Sequence, residues 1–145
     1  MKKSLFLIVS VVMIGLLTGC QKEKVLECDM KQEQNGMEMK QNLKATFKGN
    51  EVKDITIKMD VILEEKYKSY ADMFVSSIDS QFDKYKDKKG ITYKTEKNDD
   101  GVVVTFYADL DKMDKDTKEE LDMVDTTGSY EKTKEDLEKD GYTCK

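Results

Sequence analysis

The chain contains no histidine, no tryptophan, no proline and no arginine, and only three of its 145 residues are cysteine. Without histidine there can be no Ser-His-Asp or Cys-His catalytic set, and no imidazole-ligated zinc, copper, iron or haem. Hydrolases of the usual kind are thereby excluded. The cysteines form no C-x-x-C pair, so the usual arrangement of a redox-catalytic dithiol is missing as well. No internal repeat or low-complexity segment stands out. The longest apolar run, Leu5 to Leu17, has 13 residues, fewer than the roughly 20 needed to cross a bilayer as a helix.

What is present is charge and a modest apolar complement. Lysines number 25 against 30 acidic residues, a formal net charge of −5, and apolar and charged residues each make up 38% of the chain. That length and balance fit one small domain with a core beneath a heavily charged surface. Lys2 and Lys3 precede the apolar run, and Leu17-Thr18-Gly19-Cys20 closes it. A positive start, a short apolar stretch and small residues at the end read as an export signal.

The tetrapeptide resembles the lipobox of bacterial lipoproteins. The resemblance implies cleavage between Gly19 and Cys20 and a diacylglyceryl group, with palmitate-like chains, on the Cys20 thiol. Several acyl chains, each contributing about 0.8 kcal/mol per buried methylene, would hold the protein stably on a membrane. The expected layout is residues 1–19 as signal peptide, residues 20–24 as a short tether and residues 25–145 as a single domain. Its expected place is the extracytoplasmic face of the cell membrane, anchored by lipid. Losing residues 1–19 removes two lysines and no acid, leaving 23 lysines against 30 acids and a net charge of −7. That sign opposes binding to nucleic acid or to anionic headgroups.

Leu26, Cys28 and Met30 alternate with charged residues and predict a first strand. Met37, Met39, Gln41, Leu43, Ala45 and Phe47 alternate with polar residues along a second, and Ile55, Ile57, Met59, Val61 and Leu63 along a third. Asn35-Gly36 and Gly49-Asn50 supply turns between them. From Glu64 to Lys86 the apolar spacing becomes three and four, as Tyr67, Tyr70, Phe74, Ile78, Phe82 and Tyr85 show, predicting a long central helix that ends at Gly90. Ile91 to Lys97 and Val102 to Asp109 form a hairpin across Asn98-Asp99-Asp100-Gly101. Asp116-Thr117-Lys118-Glu119 reads as a capping box opening a short helix that buries Leu121 and Val124. Ser129 caps a last helix, which Gly141 ends, with Tyr142 folding back on Leu137. The expected fold is α+β in two layers: a three-strand meander plus a hairpin, packed against the central and C-terminal helices.

With Cys20 assigned to lipid, Cys28 and Cys144 remain as an even pair in a compartment that permits oxidation. A disulfide between them is the first reading, and free buried cysteines are the alternative. The mature chain also resembles the YehR-like lipoprotein family, small bacterial lipoproteins of uncharacterised function. The resemblance rests on Leu26-Glu27-Cys28 after the lipobox, Phe47-Lys48-Gly49-Asn50-Glu51-Val52, Gly90-Ile91-Thr92-Tyr93, and Leu137 through Cys144. It implies a compact α+β domain with Cys28 and Cys144 paired, and it implies no activity.

Three constellations could carry chemistry. Met37 and Met39 with Cys28 nearby could bind a soft metal, although two inward strand positions explain the methionines more simply. Asp109, Asp111, Asp114 and Asp116 gather carboxylates, but Met113 and Asp114 stand where a calcium loop needs its third acid and its glycine. Tyr67, Tyr70, Phe74 and Tyr85 could line a groove if the helix stands off the sheet, and otherwise pack the core. The expected function is therefore that of a non-enzymatic, lipid-anchored envelope binding module without metal or cofactor. The alternative is a structural or accessory component of an envelope protein assembly that binds no small ligand.

Overall fold

The computed structural model describes residues 22–34, 36–121, 123 and 128–145. Strands β1 (Glu23–Gln34), β2 (Met37–Lys48) and β3 (Glu51–Leu63) form the expected antiparallel meander. Their period-two pattern places Leu26, Cys28, Ala45, Phe47 and Leu63 in the core and the intervening charges outside. The register slips between Thr46 and Phe47, so that Val52 and Ile55 both reach the core side around the extra Lys53. Strand β1 opens at Glu23, two residues before the expected start of the domain.

The predicted central helix is one 21-residue helical segment in three pieces. A 3-10 stretch, Glu65–Tyr70, leads into α1 (Ala71–Phe82), which relaxes again into a 3-10 turn, Asp83–Tyr85. No side chain caps either N-terminus, and within α1 the Ser76 and Ser80 hydroxyls donate back to the Asp72 and Ser76 carbonyls at 2.9 and 2.8 Å. A segment with uncapped starts and serine back-bonding relies on packing rather than propensity to stay helical. Phe82 supplies much of that packing, its ring centroid lying 5.6 Å from Tyr93 and 5.8 Å from Phe106.

The hairpin of β4 (Ile91–Lys97) and β5 (Gly101–Asp109) returns so that β5 pairs with β3. Asn98 shapes the turn by accepting from the Asp100 and Gly101 amides through its side-chain oxygen, at 3.0 and 2.8 Å. Gly101 is required at the start of β5, because a Cβ there would collide with the Val61 carbonyl oxygen. The short helix α2 (Lys115–Glu120) starts two residues earlier than the capping-box reading placed it. Its cap is Asp114, whose carboxylate accepts from the Thr117 amide at 2.8 Å. Met113 and Thr117 are both buried, and that burial fixes where the helix begins. Leu121 is half-buried against the core; Val124 lies outside the described residues.

Helix α3 (Tyr130–Lys139) is capped as expected by Ser129, which accepts from the Lys132 amide at 3.2 Å. At its end the Tyr142 amide donates to Leu137 and the Gly141 amide to Glu138, at 3.1 and 3.2 Å. With Gly141 at φ 96°, this is a complete Schellman ending, and Tyr142 and Leu137 pack in the same core cluster. The chain finishes as a sixth strand, β6 (Thr143–Cys144), on the free edge of β1. The sheet order is β4-β5-β3-β2-β1-β6, one strand more than the five expected.

The architecture is thus α+β with helices on one face of an antiparallel sheet. Helix α1 packs on β4 and β5, and α3 on β1 and β6. The inner face of the central strands β2 and β3 lies between the two helices.

Candidate ligand-binding site

Cys28 and Cys144 are bonded, S–S 1.99 Å, and sit opposite each other in the β1–β6 pair with their Cα atoms 4.0 Å apart. The sulfur of Cys28 is therefore no thiolate ligand, and the soft-metal grouping with Met37 and Met39 is lost. The two methionines occupy half-buried positions on the inner face of β2. Gly19 and Cys20, the residues of the expected processing site, lie outside the described residues.

The loop aspartates are engaged elsewhere. Asp109 pairs with Lys112 at 2.6 Å, Asp111 with Lys53 at 3.2 Å, and Asp114 caps α2. The Lys112 ammonium, hydrogen-bonded to Asp109, holds that carboxyl below the ordinary range. Among the described residues no three acidic or cysteine side chains converge as a metal site.

The outer face of β1 and β2 is an ionic lattice. Lys31 lies 2.9 Å from both Glu33 and Glu38, and Lys40 lies 2.9 Å from Glu38. Hydrogen bonds from Lys40 and Lys31 push the Glu38 carboxyl down to about 2, and those from Glu38 and Glu33 push Lys31 up to about 12. Asn42 donates from one amide nitrogen to both Glu27 and Asp29, at 3.1 and 2.7 Å, and with Lys145 keeps Asp29 ionised to lower pH. Exposed pairs of this kind contribute little stability individually.

On the other side of the same strands the chemistry changes. The inward positions of β1 and β2 beyond Cys28 are Met30, Gln32, Gln34, Met37, Met39 and Gln41, with no charge among them. In a chain that is 38% charged, and on a stretch that neither helix covers, this is a marked departure.

Two cavities open along the flank of α1 that faces these residues. The lower, about 420 Å3, lies between α1 and the sheet. Ile57, Met59 and Phe106 form its floor, Ile78 and Phe82 its helix wall, and Leu121 and Met123 close one end. Gln41 and Gln81 are its polar side chains. The upper, about 310 Å3, is lined by Met37, Tyr67, Tyr70, Met73 and Phe74. Among the described residues, neither has a charged residue in its lining. Two other concavities, about 460 and 450 Å3, are bounded by charged groups such as Glu33, Glu38 and Glu64 or Asp29, Lys31 and Lys40. Those are grooves of the ionic lattice rather than apolar sites.

Of the four aromatic residues singled out on the central helix, Tyr67, Tyr70 and Phe74 line the upper cavity, while Tyr85 is buried in the core. The lower cavity has no counterpart among the sequence-predicted sites. Of the uncharged run on β1 and β2, only Gln41 reaches it.

No family model matches the chain, and no curated protein matches it. A solved structure does: an NMR structure of a protein from Streptococcus pneumoniae TIGR4, with TM-score 0.56 and 13% sequence identity over 86% of each chain. At that identity the likeness concerns the fold alone.

Proposed function

We propose that this chain is a lipid-anchored domain of the bacterial cell envelope that binds a small apolar ligand without transforming it. The observation that carries the binding reading is the uncharged cavity of about 420 Å3 between α1 and the sheet. It has the size and apolar lining of a small-molecule site, with a few polar groups to fix orientation. The anchoring reading rests on the lipobox and on its distance from the fold, since Glu23 opens β1 only three residues after Cys20. Among the described residues no helix is long and apolar enough to cross a membrane. Likeness to the YehR-like lipoproteins supports the anchoring reading and implies no activity.

Two experiments test this. Thermal shift of residues 22–145, which hold every strand, helix and core residue described, should show stabilisation by apolar small molecules; no shift with any of them would sink the ligand reading. Cys20→Ala should leave unprocessed or released protein, and membrane retention of this variant at mature size would refute the lipid anchor. A second reading, an accessory component of a protein assembly, draws on Tyr70 and Met73, which are 51% and 61% exposed at the rim of the upper cavity. Co-purification of a stoichiometric partner that Met73→Lys releases would favour it.

A further inference from the structure

The two cavities lie in line. The upper is bounded by Met37 and Phe74, the lower by Gln41 and Ile78. On β2 the one inward residue between Met37 and Gln41 is Met39, and on α1 a single turn separates Phe74 from Ile78. From Tyr70 to Phe82 the helix advances about 18 Å, and the two spaces follow one another along that length as separate cavities.

The lining of the two cavities constrains what can lie in them. Among the described residues, the hydrogen-bonding side chains that line them are Tyr67 and Tyr70 above and Gln41 and Gln81 below. An extended peptide would bring a donor and an acceptor at every residue, and a sugar a hydroxyl at nearly every carbon; most would be left unpaired. A rigid ring system would fill the lower cavity and leave the line past Met39 unused. A saturated linear chain has no polar group to satisfy, and flexible thioethers such as Met37, Met59 and Met73 adapt to its kinks.

A cation stands beside Tyr67 of the upper cavity. The Lys66 ammonium sits 4.9 Å from the centroid of the Tyr67 ring. It pairs at 2.8 Å with Glu64, in a bridge whose side chains are 63% and 53% exposed. Such a pair holds weakly and can exchange its carboxylate for another.

From this arrangement we infer that the two cavities join past Met39 into one trough, which holds one long-chain fatty carboxylate with its alkyl chain reaching the lower cavity and its head at Lys66. The inference rests on the binding reading above and names the ligand class of that same site.

The test uses residues 22–145 with the neutral dye N-phenyl-1-naphthylamine as reporter, displaced in turn by hexadecanoate, octanoate and hexadecanol. Hexadecanoate should displace the dye at one equivalent. Octanoate, which reaches only one cavity, should bind at least a hundredfold more weakly, as eight fewer buried methylenes require. Lys66→Ala should weaken hexadecanoate about tenfold and leave hexadecanol unchanged. Met39→Asp, which sets a charge midway, should abolish hexadecanoate binding while the dye still binds in the lower cavity. If the dye binds and hexadecanoate does not displace it, the fatty-chain inference is overturned and the binding reading stands. Equal affinity for hexadecanoate and octanoate overturns the continuous trough, and equal loss of acid and alcohol in Lys66→Ala overturns the placement of the head. If neither dye nor acid binds, the binding reading falls with it.

Discussion

Replacing Cys28 and Cys144 by alanine should destabilise the domain by an amount that the chain topology sets. The bond joins residues 116 apart, so on the chain-entropy model its loss frees the unfolded chain by about 4.8 kcal/mol. A domain of this size has a total stability of about 5–15 kcal/mol. Unfolding entropy of about 2.1 cal/mol/K per residue amounts to about 0.26 kcal/mol/K over residues 22–145, so the melting temperature should drop by about 18 °C. The native state has little to offset this. Strand β6 pairs with β1 through only two residues, supplemented by the Lys145 amide donating to Glu27 at 2.8 Å. Thermal melts with and without dithiothreitol, beside the double variant, measure the drop. Hydrogen exchange at Thr143 and Lys145 reports whether β6 detaches first. A loss below about 5 °C, with the bond verified in the parent by blocked thiols, would refute the entropic account.

Gly101→Ala should cost about 3 kcal/mol or more in urea unfolding, because the added Cβ meets the Val61 carbonyl in the neighbouring strand; a loss under 1 kcal/mol would show that β3 and β5 part easily. Asp114→Ala should cost about 1 kcal/mol and Asp116→Ala less than 0.5, since only the former caps α2; the reverse order would restore the capping-box reading. Glu38 should titrate near 2 by carboxyl NMR, and Lys31→Ala should raise its midpoint. Its folded value lies below the ordinary 4.5, so its contribution to stability is complete above that pH and is lost as pH falls toward 2. A midpoint above 4 in the parent protein would contradict the bridging geometry.

Much of this fold was legible because its patterns are local. Alternation marked β2 and β3, three-four spacing marked the central helix, and Leu137 with Gly141 and Tyr142 marked the Schellman ending to the residue. What escaped was set by partners distant in sequence. Lys31 to Gln34 carry no apolar signal, and β1 extends through them because β2 supplies the ladder. Thr143 and Cys144 are too few to show any period, and they become a strand through the β1 edge and the bond to Cys28. Asp116 with Glu119 satisfies the capping-box pattern, but burial of Met113 and Thr117 gave the start to Asp114. The upper cavity had its trace in the chain, since Tyr67, Tyr70 and Phe74 were read as possible groove residues. The lower cavity was illegible for a similar reason to the strands: it is a space left between α1 and the sheet, and no residue names a space.

The bond between Cys28 and Cys144 also decides how the molecule carries load. Tension applied between its two ends passes through β1 to Cys28, across the sulfur atoms and out at Lys145, so the 115 residues enclosed between the cysteines bear none of it. Within residues 22–145 only Lys22 to Glu27 and Lys145 lie outside the bridge and can lengthen, at about 3.5 Å each. Pulled at Lys22 and Lys145, the domain is close to inextensible while the sheet and the helices stay at rest.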